Sequence, residues 1–300
     1  MSLATASVPA TASHASSSQK SPVNPALPRA NRVIAIPDFR LEDRLTPEHI
    51  DFFETYGFIR FKRFATREKA RSLYEAFNQL TADLVAKNTD MINGVPLIKG
   101  KRDDGTPFYG RIPFVSMQRE EFREFLRDPR FQAIVDDLAP GSRIGQDERD
   151  GLVVNRFRNE PGAKYKNLGW HTDSLRDLAY FEKPRRYLNV GFSITDSPMK
   201  VGGLRVLPCT HNQSISSMLT TKIHFFDMTP DPNELAVETE AGDLTIHDGR
   251  IWHRTALAEV TGDASERCVT YLPIMDGPIK RKTEKSSTPA YFHLKKLLGY

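Results

Sequence analysis

From Gly151 onward the chain is made of short apolar segments set apart by turn residues: LVVNRFR, LGWHTD, RYLNVGFSI, GGLRVLP, DLTIHDGRIWH and ERCVTYLPI. Segments of that length, with little helical periodicity between them, bury their apolar faces by packing as a sandwich or a barrel. No internal repeat is apparent. Ahead of Gly151 the pattern is helical. Thr46 suits a helix cap, Pro47 the first helical position and Glu48 the first turn, with Ile50, Phe52 and Phe53 following before a break at Gly57. FIRFKRF then alternates as a strand does. A second helix, from about Thr66 to Lys87, carries Ala70, Leu73, Phe77, Leu80 and Leu84 on one stripe. A third opens at Asp128-Pro129 and turns Phe131, Ile134, Val135 and Leu138 inward. The expectation is a mainly β protein with flanking helices, its β core preceded by an N-terminal helical layer.

Between these helices KGKRDDGTPFYGR, residues 99–111, is polar and charged. It reads as loop, a solvated connection in preference to a lid. Residues 1–30 are Ala, Ser, Thr and Pro with little else, a composition that cannot bury a core and that lacks the apolar stretch of a secretory signal. They read as a disordered tail in preference to an organellar address: no Asp or Glu precedes Asp38, as in transit peptides, but arginines are few, with Arg29 and Arg32 coming late. Residues 31–300 are expected to form one domain: a helical layer at about 45–140, a β core at about 151–275, and a C-terminal helix at about 288–298 in PAYFHLKKLLGY. That last segment packs on its own domain or meets a second copy, so a homo-oligomer stays open.

The 42 basic and 38 acidic residues are interleaved, with a net charge of +4 and no long basic run, which speaks against nucleic acid and leaves anionic small molecules open as substrates. Two cysteines, Cys209 and Cys268, make no disulfide framework and point to a reducing, cytoplasmic setting. No apolar run approaches the roughly 18 residues of a transmembrane helix.

Within LGWHTDSL, His171 and Asp173 are two residues apart, and side chains two apart on a strand share a face. One more histidine would complete a two-His, one-carboxylate set, which leaves half of an octahedron open as in non-haem Fe(II) oxygenases. Downstream candidates are His247, directly before the turn signal Asp248-Gly249, and His253, which follows Trp252 and stands 14 residues ahead of Arg267. His211, after Pro-Cys-Thr, is a weaker one. His14, His49, His224 and His293 lack a metal-like context.

Three separated segments resemble the phytanoyl-CoA dioxygenase (PhyH-like) family of Fe(II)- and 2-oxoglutarate-dependent oxygenases. LTPEHIDFFETYGFIRFKRFATREKARSLYEAF is similar to its opening helix, Gly turn, strand and second helix; WHTD with the later GGLRVLPCTH to its metal strand and Gly-rich lead-in; and AGDLTIHDGRIWHRTALA with Arg267 to its closing segment. The match runs over roughly residues 45–275, with one departure, Cys209, where the family often has Gly; this is expected to alter a turn and not the chemistry.

The resemblance implies a double-stranded β-helix, a jelly-roll, cupin-like core. In that family Gly-Asp precedes the distal histidine by about ten residues, which selects His253 over His247. His171, Asp173 and His253 are then the Fe(II) ligands, Arg267 the grip on the far carboxylate of 2-oxoglutarate, and Thr255 a helper on the same face as His253. O2 completes the cofactor set. An Asp at 173, where a halogenating relative has a small residue, implies oxygen transfer, with hydroxylation of an aliphatic C–H as the default.

For the substrate, Arg156 and Arg158 share a strand face, and Lys164, Lys166, Arg176, Arg185 and Arg186 also flank the pair in sequence; any single one is more often a solvated charge. Arg111 is a further basic candidate. Tyr109, Phe114 and Trp170 are candidates for an apolar wall, though core packing is the commoner fate of such aromatics. Two other readings stand beside the oxygenase: a non-catalytic ligand-binding protein on the same fold, and a cupin-type metal-dependent hydrolase or isomerase, which has no need of Arg267.

Overall fold

The first helix, α1 (Pro47–Tyr56), begins at a reciprocal cap. The Thr46 hydroxyl accepts the His49 backbone N–H at 3.3 Å, while Nδ1 of the His49 ring accepts the Thr46 N–H at 3.2 Å. Two N–H groups that an isolated helix end would leave bare are thereby satisfied. The helix ends at Gly57, in the left-handed region at φ 80°, with its N–H bonded to Phe53 O at 2.7 Å. His211 closes over this end: its Nε2 donates to the free Glu54 carbonyl at 3.1 Å. That is a capping task, and it takes His211 out of the set of metal-ligand candidates.

This structure is a computed structural model that describes residues 34–180, 185–289 and 292. The expected tail at 1–30, together with His14 and His293, lies outside the described residues. So does the expected helix at 288–298, apart from residues 288, 289 and 292.

After β1 (Phe58–Phe61), the helix α2 (Arg67–Ala86) buries Ala70, Leu73, Phe77, Leu80 and Leu84 as its periodicity requires. A small hairpin, β2 (Met91–Ile92) and β3 (Val95–Pro96), leads to β4 (Ile98–Lys101) and β5 (Pro107–Ile112). The stretch 99–111, expected to be loop, is therefore mostly sheet: β4 and β5 pair antiparallel around a tip at 102–106. Three short helices follow, α3 (Val115–Gln118), α4 (Glu120–Phe125) and α5 (Arg130–Leu138). The region ahead of Gly151 is thus helices interleaved with strands, and not a purely helical layer. The β core then runs through β6 (Arg143–Ile144), β7 (Val153–Phe157), β8 (Leu168–His171), β9 (Tyr187–Ser193) and β10 (Gly203–Val206). A short helix α6 (Ile215–Thr220) precedes β11 (Leu235–Ala236), β12 (Leu244–Asp248), β13 (His253–Ala256) and β14 (Arg267–Met275).

Apart from the β2–β3 hairpin, the described strands form two antiparallel sheets. The larger has eight strands, ordered β1-β12-β9-β14-β7-β5-β4 with β6 beside β14; the smaller is β11-β10-β13-β8. DLTIHDGRIWH splits between them at the Asp248-Gly249 turn, so β12 and β13 belong to opposite sheets. This is the mainly β, jelly-roll architecture expected. Period-two alternation sorts the large sheet's faces. Leu188, Val190, Phe192, Leu244, Ile246 and Leu272 join Leu73, Phe77, Phe122 and Phe131 in the helix-side core. Their strand neighbours Asn189, Gly191, Thr245, His247 and Tyr271 turn the other way, toward the small sheet. Among the described residues no helix is long and apolar enough to cross a membrane.

Gly57 tests the account of α1. A Cβ there would lie 2.4 Å from His211 Nδ1, on a backbone that L residues avoid. Gly57→Ala should therefore cost roughly 2 kcal/mol of stability and lower Tm by several degrees in a thermal melt. An unchanged Tm would contradict the described packing of His211 on the helix end.

Candidate metal centre

On neighbouring strands of the small sheet, β8 and β13, His171 stands directly opposite His253. Opposed residues of an antiparallel pair project from one face with Cβ atoms about 5 Å apart, and here the ring centroids are 4.1 Å apart. Asp173 follows two residues later, just past the end of β8. The intervening Thr172 points away and places its hydroxyl 3.2 Å from His224 Nε2. One ligand atom from each of His171, Asp173 and His253 can be chosen so that all lie within 4.8 Å of one another.

Backbone carbonyls set the tautomers. His171 Nδ1 is 2.8 Å from Gly169 O, and His253 Nδ1 is 3.1 Å from Ile251 O. A carbonyl only accepts, so each Nδ1 carries the proton and each Nε2 keeps its lone pair, on the side facing Asp173. The Nε2 atoms are 3.9 and 3.7 Å from Asp173 Oδ1 and Oδ2 respectively. Burial, reinforced by His171 and His247 alongside, holds His253 well below the ordinary imidazole range and so neutral. For Asp173 burial acts in the opposite sense, but His253, His247 and His171 together outweigh it and keep the carboxyl well below its usual range. Two neutral nitrogens and one carboxylate oxygen, all deprotonated where a cation would sit, are a donor set that suits a divalent transition metal. Asn189 Nδ2 donates to Asp173 Oδ2 at 2.9 Å, and Phe225 stacks on the His171 ring at 4.8 Å.

Arg267 opens β14 on the facing sheet. It is 3% exposed, lies over the Phe157 ring at 4.3 Å, and has no hydrogen-bond partner at Nε or Nη2. Burial draws its pKa down from the usual arginine value. Among the described residues no carboxylate pairs with it. A buried guanidinium left in that state is costly, by several kcal/mol on the general scale, unless an anion completes it. Thr255 is buried on β13 opposite Leu204, two residues past His253 and on its face.

The expected substrate residues are mostly elsewhere, and the same alternation explains why. Arg156 and Arg158 do share a face of their strand, but it is the side of α2. Arg156 lies over Phe77 at 4.5 Å and donates to Asn78. Arg158 is enclosed by Glu160, Glu266 and Asp263. Tyr109 is tied to α2 and the turn after it through hydrogen bonds from its hydroxyl to Leu84 O and Thr89 O, and Phe114 lies in the helix-side core. Trp170, next to His171, must point the opposite way; it packs with Leu207 and Trp252 and donates to Thr229 O at 2.8 Å. Arg111 is different: it pairs across to Asn155, on the face of β7 that also carries Phe157 and meets Arg267, with Asp150 at 2.9 Å. Asn189, Tyr271 and Phe225 had not been expected at the centre. Asn189 left a signal, as a polar residue inside the apolar run YLNVGF on the same face as Gly191 and Ser193.

The sequence matches the family described as phytanoyl-CoA dioxygenase (PhyH) over residues 53–259, more than half of the chain. No curated protein matches it. Among solved structures it is similar to the non-haem α-ketoglutarate-dependent carbocyclase SnoK from nogalamycin biosynthesis, with TM-score 0.56 and 16% identity over 84% of this chain and 90% of that one. EvdO2 from Micromonospora carbonacea var. aurantiaca, complexed with 2-oxoglutarate, has TM-score 0.55 and 16% identity over 83% and 97%. The epimerase SnoN, in complex with Fe3+, α-ketoglutarate and nogalamycin RO, has TM-score 0.53 and 15% identity over 79% and 93%. At such identity these likenesses establish the shared fold. With the family match reaching from within α1 to just beyond β13, the chain belongs to the phytanoyl-CoA dioxygenase family.

Proposed function

We propose that this protein is an iron(II)- and 2-oxoglutarate-dependent oxygenase of a small molecule, in which His171, Asp173 and His253 hold the metal and Arg267 takes the far carboxylate of 2-oxoglutarate. The observation that carries this reading is Arg267: a buried guanidinium with unmet donors on the sheet that faces the triad. With iron and 2-oxoglutarate bound, the centre supplies oxidative decarboxylation to succinate and CO2, with oxygen activated for attack on substrate.

The chain's own contribution is placement. Arg267 offers a planar, permanently charged fork that matches a carboxylate, with Phe157 as its floor and Thr255 as a second donor. Backbone carbonyls at Gly169 and Ile251 fix which ring nitrogens are free. The inward faces of both sheets are buried and exclude bulk water from the reacting groups.

Hydroxylation of an aliphatic C–H is the outcome we assign. The neighbouring structures described as a carbocyclase and an epimerase mark the other outcomes against which products should be checked. An anionic substrate loses Arg156 and Arg158 as contacts; Arg111 stays on the face that carries Arg267, with its charge already met by Asp150. The hydrolase or isomerase reading leaves the unmet donors of Arg267 without a purpose; a non-catalytic protein would use them to hold its ligand, and turnover of 2-oxoglutarate separates that reading from an oxygenase.

Purified protein given Fe(II), 2-oxoglutarate and air should form succinate, and His171→Ala should reduce this to background. Arg267→Ala should raise KM for 2-oxoglutarate on the order of 100-fold, about 3 kcal/mol for a buried charge pair that loses one member, with Arg267→Lys in between. Iron-loaded protein that neither consumes 2-oxoglutarate nor changes its affinity for it on Arg267→Ala would sink the proposal.

A further inference from the structure

His247, set aside as a ligand by its spacing, is 1% exposed, yet neither ring nitrogen has a hydrogen-bond partner. It stands on β12 opposite Asn189 of β9. Its ring centroid is 4.5 Å from that of His253 and 6.2 Å from that of Tyr271, and its Nε2 is 3.5 Å from Asp173 Oδ2. It is not one of the three residues whose ligand atoms lie within 4.8 Å of one another. A buried polar atom without a partner costs about 1–3 kcal/mol, and native proteins hold few of them. A phenyl ring would fill the same slot without that cost. The imidazole therefore has a use that a merely space-filling ring lacks.

The group it faces is Asp173. Oδ2 of that carboxylate already accepts Asn189 Nδ2 at 2.9 Å and, with two lone pairs, has room for a second N–H. Oδ1 lies 3.9 Å from His171 Nε2 and Oδ2 3.7 Å from His253 Nε2, so the turn of the carboxylate decides how it meets a cation between the two rings. We propose that His247 and Asn189 are positioning residues of the metal centre: together they grip Asp173 Oδ2 and fix the turn of the carboxylate, so that it meets the metal in one orientation. The His247 proton then sits on Nε2. Released from the pair, the carboxylate is free to turn or to chelate through both oxygens. Chelation takes up a coordination position that 2-oxoglutarate or oxygen needs.

This inference rests on the metal reading above, and Co(II) binding, followed by its visible absorption, separates the two. Wild-type protein should bind Co(II), and His171→Ala should not. His247→Phe and Asn189→Leu should each weaken Co(II) by about 10- to 100-fold, as losses of groups that orient metal ligands do, with an altered visible spectrum. Acting on one oxygen, the two losses should not add in the double variant. His247→Gln, which restores an N–H donor, should recover most of the affinity.

Wild-type affinity and spectrum in His247→Phe would overturn the inference while leaving the metal reading intact. So would a loss as complete as that of His171→Ala, which would make His247 a ligand. Wild-type protein that fails to bind Co(II) would remove the metal reading itself, and this inference with it.

Discussion

The antiparallel pairing of β8 with β13 is the contact on which the centre depends. It puts His171 across from His253, and a slip of one residue would turn one of them out of the site. Several close approaches hold the register. Gly169 lies so near the 223–227 segment that a Cβ on it would come within 2.3 Å of Phe225 O. Phe225 N–H bonds to Trp170 O, and Trp170 N–H to Asp227 O, each at 2.8 Å. Phe225 itself sits at φ 66°, a strained backbone for an aromatic residue, and its ring lies on His171. The strain is kept where it steadies a candidate metal ligand.

Two buried arginines show how surroundings decide what a charge is for. Arg158 is enclosed by Glu160, Glu266 and Asp263. Burial works against its charged form, but the bonds to those carboxylates outweigh it and raise its pKa. Such a side chain is committed to the fold. Arg267, opposite Phe157 on the neighbouring strand β14, has no such company, and burial dominates its balance. Both are 2–3% exposed. The difference lies in whether the protein itself provides the counter-charge.

Much of this could be read from residues alone where a local rule applies without competition. The cap at Thr46, the α2 stripe and the short strands of the β core follow from patterns that tertiary contacts do not override. The β4–β5 hairpin was missed because an edge ribbon needs little apolar alternation, so KGKRDDGTPFYGR looks like loop. Arg156 and Arg158 were correctly put on one face, but a lone strand does not reveal which face meets helices and which meets the other sheet. The same ambiguity hides Trp170, while a break in the β4–β5 register between Tyr109 and Arg111 turns Tyr109 to the helix side. Cys209 was expected to alter its turn; instead it keeps the left-handed backbone at φ 68° that a glycine would adopt, with its N–H bonded to Tyr56 O at 3.0 Å.

Splitting the site between two sheets has a mechanical consequence. The candidate metal ligands hang from the small sheet and its margin, Arg267 from the large one, and stacked sheets stand about 10 Å apart. On the roles proposed for the triad and Arg267, the gap acts as a ruler, because a dicarboxylate that bridges metal and guanidinium must have the right number of carbons. Its divisions are set by packing, with Phe58 of the large sheet against Leu204 and Val206 of the small one. On those roles, apolar residues with no chemistry of their own take part in choosing the co-substrate's length.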